Sequence, residues 1–327
     1  MLFQDSAKMV TMNKEPVINI LLAAYNGENY ITEQIHSILK QTYTNWILII
    51  RDDGSSDRTI EIIKLFIERY PEKIKLIKDN LGNLGVRQNF TKLLEYSDAD
   101  YIMFSDQDDV WLPHKIEITL KKVKELEKIH GSEVPLLLHT DLKVTDRNLK
   151  VFSDSYWKYQ KINPSKGKYL NRLLIQNTIT GCTAMINKKL KDLAIPIPEA
   201  SIMHDWWLAL VSLAFGKIDF IRESTILYRQ HGRNDIGAQQ WNFSYVFKKA
   251  IKFYETEDLK ENLLKTQQQA VAFLQRYKKF LNEEDRIKIE VYSEMLHKTF
   301  IIKRYLIFKY GFFRIGFIRN LSLLLRV

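Results

Sequence analysis

Cysteine is nearly absent from this chain, and two kinds of site are excluded with it. Cys182 is the only cysteine in 327 residues, so neither an intrachain disulfide nor a zinc site built from several cysteines can form. This usage fits a reducing compartment. No run of roughly 18 residues is free of charged side chains, so we expect no membrane-spanning helix. Residues 1–14 have no apolar core, and we expect no secretory signal there.

Two nucleotide-binding motifs are also missing. No G-x-G-x-x-G sequence follows the first predicted strand, and no P-loop sequence occurs. Their absence argues against a dinucleotide-binding fold and against a P-loop NTPase. A hydrophobic content of 46% with 27% charged residues is nevertheless ordinary for a globular protein, so disorder is not indicated.

Acidic residues are missing from the end of the chain. No Asp or Glu occurs after Glu294, whereas seven cations follow and supply most of the net charge of +10. The cations are Lys298, Lys303, Arg304, Lys309, Arg314, Arg319 and Arg326. Basic and aromatic residues without acids favour the surface of an anionic membrane, with packing against the preceding domain as the alternative. Because the charge is confined to this tail, a nucleic-acid-binding protein is the weaker hypothesis.

Strand and helix patterns alternate four times in the first part of the chain. The predicted strands are 17–24, 46–50, 73–78 and 101–104. Such alternation implies right-handed crossovers and a mostly parallel sheet flanked by helices. We therefore predict an α/β protein in three parts. They are a flexible arm at 1–15, an α/β domain at 16–235 and a C-terminal helical, membrane-associating region at 236–327.

Carboxylates follow two of the predicted strands. Asp52 and Asp53 come after the second strand, and Asp106, Asp108 and Asp109 come after the fourth. The carboxyl ends of parallel strands meet at one edge of a sheet, where such sheets bind ligands. Crowded carboxylates repel one another unless a cation neutralises them, and their oxygens suit Mg²⁺ or Mn²⁺. A solvated acidic turn is the simpler interpretation of either cluster alone.

Asp205 and His231 offer further chemistry. Asp205 begins a predicted helix, where a lone Asp is most often a cap. The tryptophans beside it would desolvate its carboxylate and raise its pKa toward that of a general base. His231 follows the last strand and could ligate a metal or contact phosphate. Inverting transfer of a group from a nucleotide diphosphate requires a metal at the leaving diphosphate and one separate base.

Five motifs occur in a fixed order along the chain. They are A-A-Y-N-G at 23–27, R-D-D-G-S-S-D at 51–57, S-D-Q-D-D-V-W-L-P at 105–113, H-D-W-W at 204–207 and Y-R-Q-H at 228–231. Together they resemble the family 2 glycosyltransferases with a GT-A fold, and within them most closely the rhamnosyltransferases of streptococcal cell-wall polysaccharides. The resemblance covers about residues 16 to 235 and implies a Rossmann-like sheet followed by the C-terminal helical region.

The resemblance also implies roles for individual residues. Asp52 is expected to bind the pyrimidine N3–H, and Asp205 falls where the family has its catalytic base. The donor contacts it implies are Tyr25, Asp52, Asp53, Asp106, Asp109 and His231, with Asp108 and His231 as metal ligands. The acceptor walls it implies are His204, Trp206, Trp207, Thr180 and Gly181. Two residues depart from the family pattern: His204 replaces an acid, and Arg51 replaces an apolar residue.

The resemblance implies a metal-dependent, inverting glycosyltransferase of cell-wall or capsular polysaccharide synthesis. We expect it to add L-rhamnose from dTDP-L-rhamnose to a lipid-linked glycan, using Mg²⁺ or Mn²⁺. Its expected location is cytoplasmic, peripheral on the inner face of the cell membrane. The alternative keeps the fold and mechanism but uses a UDP-hexose or UDP-N-acetylhexosamine donor. No nucleic-acid partner is expected.

Overall fold

A computed structural model describes residues 15–231 and 256–327 of the chain. Within these residues nine strands form one sheet. The strands are β1 (Ile18–Ala24), β2 (Trp46–Asp52), β3 (Ile74–Leu76), β4 (Tyr101–Asp106), β5 (Val110–Trp111), β6 (Leu136–Thr145), β7 (Val151–Ser153), β8 (Ala184–Asn187) and β9 (Lys217–Arg229). Their order is β3-β2-β1-β4-β8-β6-β9-β5, and β7 pairs with β6. All but the last residue of the predicted arm at 1–15, and the predicted boundary at 235/236, lie outside the described residues.

The first four strands run parallel, as the alternating pattern predicts. β1 lies between β2 and β4, so that Ile18 is opposite both Trp46 and Tyr101. The crossover helices are α1 (Ile31–Leu39), α2 (Thr59–Arg69) and α3 (Val86–Tyr96). At the other end of β1, Ala23 is opposite both Arg51 and Asp106. This register brings the acidic ends of β2 and β4 to the same edge of the sheet.

The second half of the sheet is mixed. β8 runs antiparallel to both β4 and β6, whereas β6 and β9 are parallel to each other. The short strand β5 pairs antiparallel with β9 at the outer edge. The helices of this half are α4 (Lys115–His130), α5 (Tyr156–Tyr159), α6 (Leu170–Leu173), α7 (Lys188–Ala194) and α8 (His204–Phe215). Because α8 starts at His204, its first turn carries Asp205.

Hydrophobic cores cover both faces of the sheet. Successive residues of a strand point to opposite faces, and β1 shows this clearly: Leu21 joins one core, whereas Ile20 and Leu22 join the other. The Leu21 side includes residues of α3, α6, α7 and α8, and the opposite side includes residues of α1, α2 and α4. A parallel strand buried on both faces explains why its sequence is a continuous apolar run.

The described C-terminal helices pack on the core of the α/β part. They are α9 (Thr256–Tyr277), α10 (Glu283–Glu294), α11 (Phe300–Tyr310) and α12 (Phe317–Arg326). Trp207 of α8 contacts Phe273 of α9, with ring centroids 5.4 Å apart. Arg276 donates to the Ala194 carbonyl at 3.0 Å, which ties α9 to the end of α7. In the part of the chain that the structure describes, no helix is both long and apolar enough to span a bilayer.

Candidate active site

A cavity of about 620 Å³ opens at the edge where the parallel strands end. Its walls come from the ends of β1 and β4, the loop before α3, the segment at 177–181 and the first turn of α8. The predicted site residues that line it are Tyr25, Asp53, Asp106, Asp108, Thr180, Gly181, His204 and Asp205. Ligands of open α/β sheets bind at this edge, so the cavity is the candidate active site.

The acidic turn after β4 forms one wall of the cavity. Asp106 ends β4 beside Ala23 of β1. The Tyr25 N–H donates to Gln107 Oε1 at 2.9 Å, and Gln107 Nε2 donates to the Tyr25 carbonyl at 2.7 Å. This amide bridge holds the ends of β1 and β4 together and leaves Tyr25 half exposed at the cavity. Tyr25 and Asp106, both predicted donor contacts, therefore share one wall.

Asp108 and His231 contact each other, although 123 positions separate them in sequence. Asp108 Oδ2 lies 2.7 Å from His231 Nε2. The imidazole also stacks on Tyr30, with ring centroids 4.8 Å apart and an angle of 14° between the planes. The two residues predicted as metal ligands are thus brought to one place.

Asp109 lies beneath the acidic turn and not on the cavity wall. The carboxylate is completely buried: Oδ1 accepts from the Arg229 N–H at 3.3 Å, and Oδ2 has no hydrogen-bond partner among the described residues. Burial, reinforced by the charges of Asp108 and Asp106, raises the pKa of Asp109 well above its usual range. The expectation that Asp109 contacts the donor is therefore wrong, because a side chain with no exposed surface cannot touch a ligand in the cavity.

The donor atoms at this turn suit a divalent cation. Carboxylate oxygens of Asp106 and Asp109 and the Sγ atom of Cys182 lie within 4.8 Å of one another. Burial raises the pKa of the Cys182 thiol well above its usual range, so it is a poor ligand at neutral pH. Carboxylate oxygens are the ligands that Mg²⁺ and Mn²⁺ prefer.

The two aspartates after β2 point in different directions. Asp53 lines the cavity, and its carboxylate accepts from the Leu84 N–H at 2.9 Å and the Gly85 N–H at 2.8 Å. Asp52 does not line the cavity as described; its carboxylate closes its own turn by accepting from the backbone N–H groups of Gly54 and Ser55. The Asp53 carboxylate thus holds the loop at the cavity, whereas the Asp52 carboxylate lies in its own turn, and the nucleobase contact at Asp52 stays a prediction.

Arg51 has a structural role that the sequence analysis missed. It is 1% exposed and donates to both oxygens of Asp79, at 2.8 and 3.1 Å. It also donates to Asp53 at 2.6 Å and to the Gly82 carbonyl at 3.1 Å. A guanidinium can satisfy several acceptors in one plane, so Arg51 fixes the loop at 79–85 that forms part of the cavity wall. The sequence does contain an indication of this role, because Arg51 is a charged residue in an otherwise apolar strand.

Asp205 is a buried carboxylate on the helix side of the cavity. It lies in the first turn of α8 and is 7% exposed. Its Oδ1 accepts from the Trp206 N–H at 2.6 Å and from Asn177 Nδ2 at 3.2 Å, and the Gly181 backbone also hydrogen-bonds to the carboxylate. Burial outweighs these donors and raises the pKa of Asp205 to about 6. Asp205 is thus largely ionised at neutral pH yet basic enough to accept a proton. Asn177, which the sequence analysis did not single out, orients it.

His204 is packed between aromatic rings beside the cavity. Its ring centroid is 4.1 Å from that of Phe90 and 5.0 Å from that of Phe104. Burial lowers the pKa of His204 to about 3, so the imidazole is neutral. A Cβ atom at Gly181 would lie 2.9 Å from His204 Nε2, so glycine is needed for this close approach.

The two tryptophans of α8 do not line the cavity in the described structure. Trp207 is completely buried, and its indole N–H donates to the Ala194 carbonyl at 3.0 Å. The Trp206 indole N–H donates to the Leu173 carbonyl at 2.6 Å. The expectation that Trp207 forms an acceptor wall is wrong because its side chain is completely buried, whereas the same role for the partly buried Trp206 stays a prediction. Successive helical residues are rotated by about 100°, so a helix that turns Asp205 toward the cavity turns Trp207 away from it.

These features define a glycosyltransferase of GT-A type. A mostly parallel sheet has carboxylates on two strand ends, and a further buried carboxylate on a helix shares their cavity. The chain belongs to glycosyl transferase family 2, whose family model matches residues 19–193. The matched segment contains both acidic turns but ends before Asp205 and His231, so the family match does not extend to these two residues.

Relatives and solved structures agree with this family. EpsE of Bacillus subtilis (strain 168) is 34% identical over 154 residues, which are 47% of this chain and 50% of EpsE, so the chain matches half the length of that relative. The dTDP-rhamnosyl transferase RfbG of Shigella flexneri is 29% identical over 228 residues, or 66% of this chain and 74% of RfbG. The structure of S. aureus TarS 1-349 with UDP-GlcNAc has a TM-score of 0.53 at 19% identity, covering 89% of this chain and 74% of that one. Its likeness confirms the predicted GT-A fold.

Proposed function

We propose that this chain transfers a sugar from a nucleotide diphosphate to an acceptor hydroxyl with inversion, and that Asp205 is the base. The observation that carries the proposal is a buried carboxylate with a pKa of about 6 in the same cavity as the acidic strand ends. Asp205 takes the acceptor's proton while the hydroxyl attacks the anomeric carbon. The nucleotide diphosphate leaves from the other side of that carbon, so one displacement inverts the configuration.

The donor would lie along the wall formed by Tyr25, Asp53, Asp106 and Asp108. Tyr25 offers a half-exposed ring to the base, and the Arg51-anchored loop at 79–85 closes the site beside it. Asp108 and His231 would hold a Mg²⁺ or Mn²⁺ ion, and Asp106 lies in the same acidic turn as Asp108. When bound, such an ion supplies positive charge that stabilises the leaving diphosphate. The carboxylates of Asp106 and Asp108 in the acidic turn favour a cation at this end of the cavity.

We propose dTDP-L-rhamnose as the donor. RfbG, named a dTDP-rhamnosyl transferase, supports this choice over two thirds of the chain. A UDP-hexose or UDP-N-acetylhexosamine is the rival donor, and specific relatives favour it. WfgD of Escherichia coli, named a UDP-Glc glucosyltransferase, is 28% identical over 172 residues, or 52% of this chain and 59% of WfgD.

We propose a lipid-linked glycan as the acceptor, at the inner face of the cell membrane. WfgD is named for an acceptor on diphosphoundecaprenol, which supports this class. The acceptor would approach along the segment at 177–181 and the start of α8, which line the cavity around Asp205. A polysaccharide of the cell wall or capsule would be the product.

A donor panel tests the proposal. Purified protein receives dTDP-L-rhamnose, UDP-glucose or UDP-N-acetylglucosamine with Mn²⁺ or Mg²⁺ and a synthetic lipid-linked acceptor, and product is scored by its mass increase. We expect metal-dependent transfer of rhamnose and none with the Asp205→Asn protein. Transfer of glucose or N-acetylglucosamine instead would replace the donor while keeping the mechanism. Transfer by Asp205→Asn at the wild-type rate would remove Asp205 as the base.

A further inference from the structure

Helices α11 and α12 form a hairpin, here called the C-terminal hairpin (residues 300–327). Gly311 ends α11 in the left-handed conformation, with a positive φ of 69°. Arg304 in the middle of α11 donates to the Val327 carbonyl at 3.0 Å and to the Leu324 carbonyl. These hydrogen bonds fasten the end of α12 to the middle of α11.

The inner face of the hairpin packs on the protein. Ile307, Phe312 and Leu323 are completely buried and belong to the core that contains α8 and α9. The helix ends are joined to the acceptor side of the cavity by hydrogen bonds. The Ile315 N–H donates to Gln176 Oε1 at 2.7 Å, directly beside Asn177, and Arg319 donates to the Gln160 carbonyl at 2.9 Å.

The outer face of the hairpin is apolar and uncovered by any described residue. On α11, Ile301, Tyr305 and Phe308 are 79%, 60% and 63% exposed. On α12, Phe317, Leu321 and Leu325 are 82%, 48% and 71% exposed. Both sets have the three- and four-residue spacing that places side chains on one side of a helix. Each helix therefore presents an apolar stripe to the outside.

The charge of this face is positive but smaller than the sequence predicts. Of the seven terminal cations, Arg304 and Arg319 donate to carbonyls inside the protein, and Lys298 pairs with Glu294 at 3.3 Å. Lys309 and Arg326 are exposed next to the stripes, and no acid occurs anywhere in the hairpin. Apolar stripes bordered by cations and free of acids match a bilayer that contains anionic lipid.

We propose that the exposed apolar stripes of the C-terminal hairpin dock on an anionic lipid bilayer, which would place the acceptor side of the cavity near the membrane surface. The inference rests on the proposed function for the nature of the acceptor, but the docking itself rests only on the exposed stripes and the charge pattern. The hydrogen bonds from the buried residues Ile315 and Arg319 to Gln176 and Gln160 hold the inner side of the hairpin against segments next to the cavity.

Vesicle co-sedimentation of the full chain tests the docking. The vesicles contain phosphatidylcholine alone or an equal mixture with phosphatidylglycerol. The test variant replaces Ile301, Phe308 and Leu325 with Gln. Gln has a high helix propensity, so both helices should still form. Its matched control replaces Leu65, Ile129 and Phe280 with Gln; these are apolar side chains of 65%, 70% and 75% exposure on other elements. Thermal unfolding confirms that both variants fold.

The wild type and the matched control should bind the mixed vesicles equally, and the hairpin variant should bind at least tenfold more weakly. Lys309→Gln should weaken binding to mixed vesicles but not to phosphatidylcholine. Equal binding by all variants, or no preference for anionic vesicles, would overturn the proposal. A wild-type dimer that the hairpin variant abolishes, with no vesicle binding, would assign the face to a second copy of the chain.

A transfer assay separates this proposal from the proposed function. With a short-chain acceptor in the absence of vesicles, the hairpin variant should retain wild-type turnover, because its three changes lie outside the cavity. With the long-chain acceptor in mixed vesicles, its turnover should fall about as much as its binding. If the wild type binds vesicles but transfers no sugar from any nucleotide sugar, the proposed function is refuted, whereas the proposal that the hairpin docks on a bilayer remains supported.

Discussion

Replacing Asp205 with Asn should abolish sugar transfer and yet stabilise the protein above pH 6. Asn keeps the shape of the side chain and an oxygen that can accept from the Trp206 N–H and from Asn177. It cannot take the acceptor's proton, so kcat should fall by about 10²–10⁴-fold. The residues proposed to contact the nucleotide sugar lie at the ends of β1, β2 and β4, not on α8. The affinity for the nucleotide sugar should therefore change by less than about tenfold.

The gain in stability follows from the burial of the charge. Asp205 is 7% exposed, and burial raises its pKa from 3.8 to about 6. As pH rises through this window, the unfolded chain releases the proton before the folded chain does, which lowers the free energy of unfolding. The loss is complete above about pH 6 and amounts to roughly 3 kcal/mol, of which about half is present at pH 5. Asn has no charge to bury and avoids the loss.

Urea unfolding at pH 5 and pH 8 measures this effect. The stability advantage of Asp205→Asn over the wild type should grow by about 1–1.5 kcal/mol between the two pH values. Glu68→Gln removes a carboxylate on the exposed surface of α2 and serves as the control, with no comparable advantage. A variant no more stable than the wild type at pH 8 would refute the reasoning that Asp205 is a desolvated carboxylate.

Three further substitutions test other parts of the site. Asp108→Asn should lower metal-dependent transfer by at least about 10–100-fold, and an unchanged response to Mn²⁺ in a titration would show that Asp108 is not a ligand. Arg51→Lys keeps the charge but loses the planar fork that holds Asp79, so the donor KM should rise about tenfold with kcat less affected; a fall in kcat alone would contradict this role. Gly181→Ala places a Cβ atom 2.9 Å from His204 Nε2 and 3.5 Å from Asp205 Cβ, so kcat should fall about tenfold while donor binding persists. Calorimetry measures the binding of the nucleotide sugar to each variant, and a turnover assay measures its kcat.

The parallel half of the fold was predictable because its signal is local. Each strand from β1 to β4 is a short apolar segment followed by an amphipathic helix, and this alternation allows few topologies. The antiparallel insertion of β8 between β4 and β6 was not predicted, since strand order depends on contacts distant in sequence. Asp106 and Asp205 could be assigned to one cavity because their motifs appear in a fixed order.

At the site, the direction of side chains could not be predicted from the sequence. Of the adjacent pair Asp52 and Asp53, only Asp53 lines the cavity, and a sequence with two neighbouring acids does not show which one faces inward. Trp207 is buried because α9 covers it through Phe273 and Tyr277. The sequence near α8 contains no information about that covering helix, so the burial could not be foreseen.

The contact between Asp108 and His231 makes the acidic turn dependent on the last strand of the sheet. β9 lies between β6 and β5, and His231 follows it directly. A contact over 123 positions carries a large loop-closure cost, so it should form late in folding, after the parallel half has assembled. During synthesis the chain would therefore possess its strand-end carboxylates well before it could hold a cation with imidazole. If Asp108 and His231 bind the proposed cation, tight metal binding would require a complete sheet.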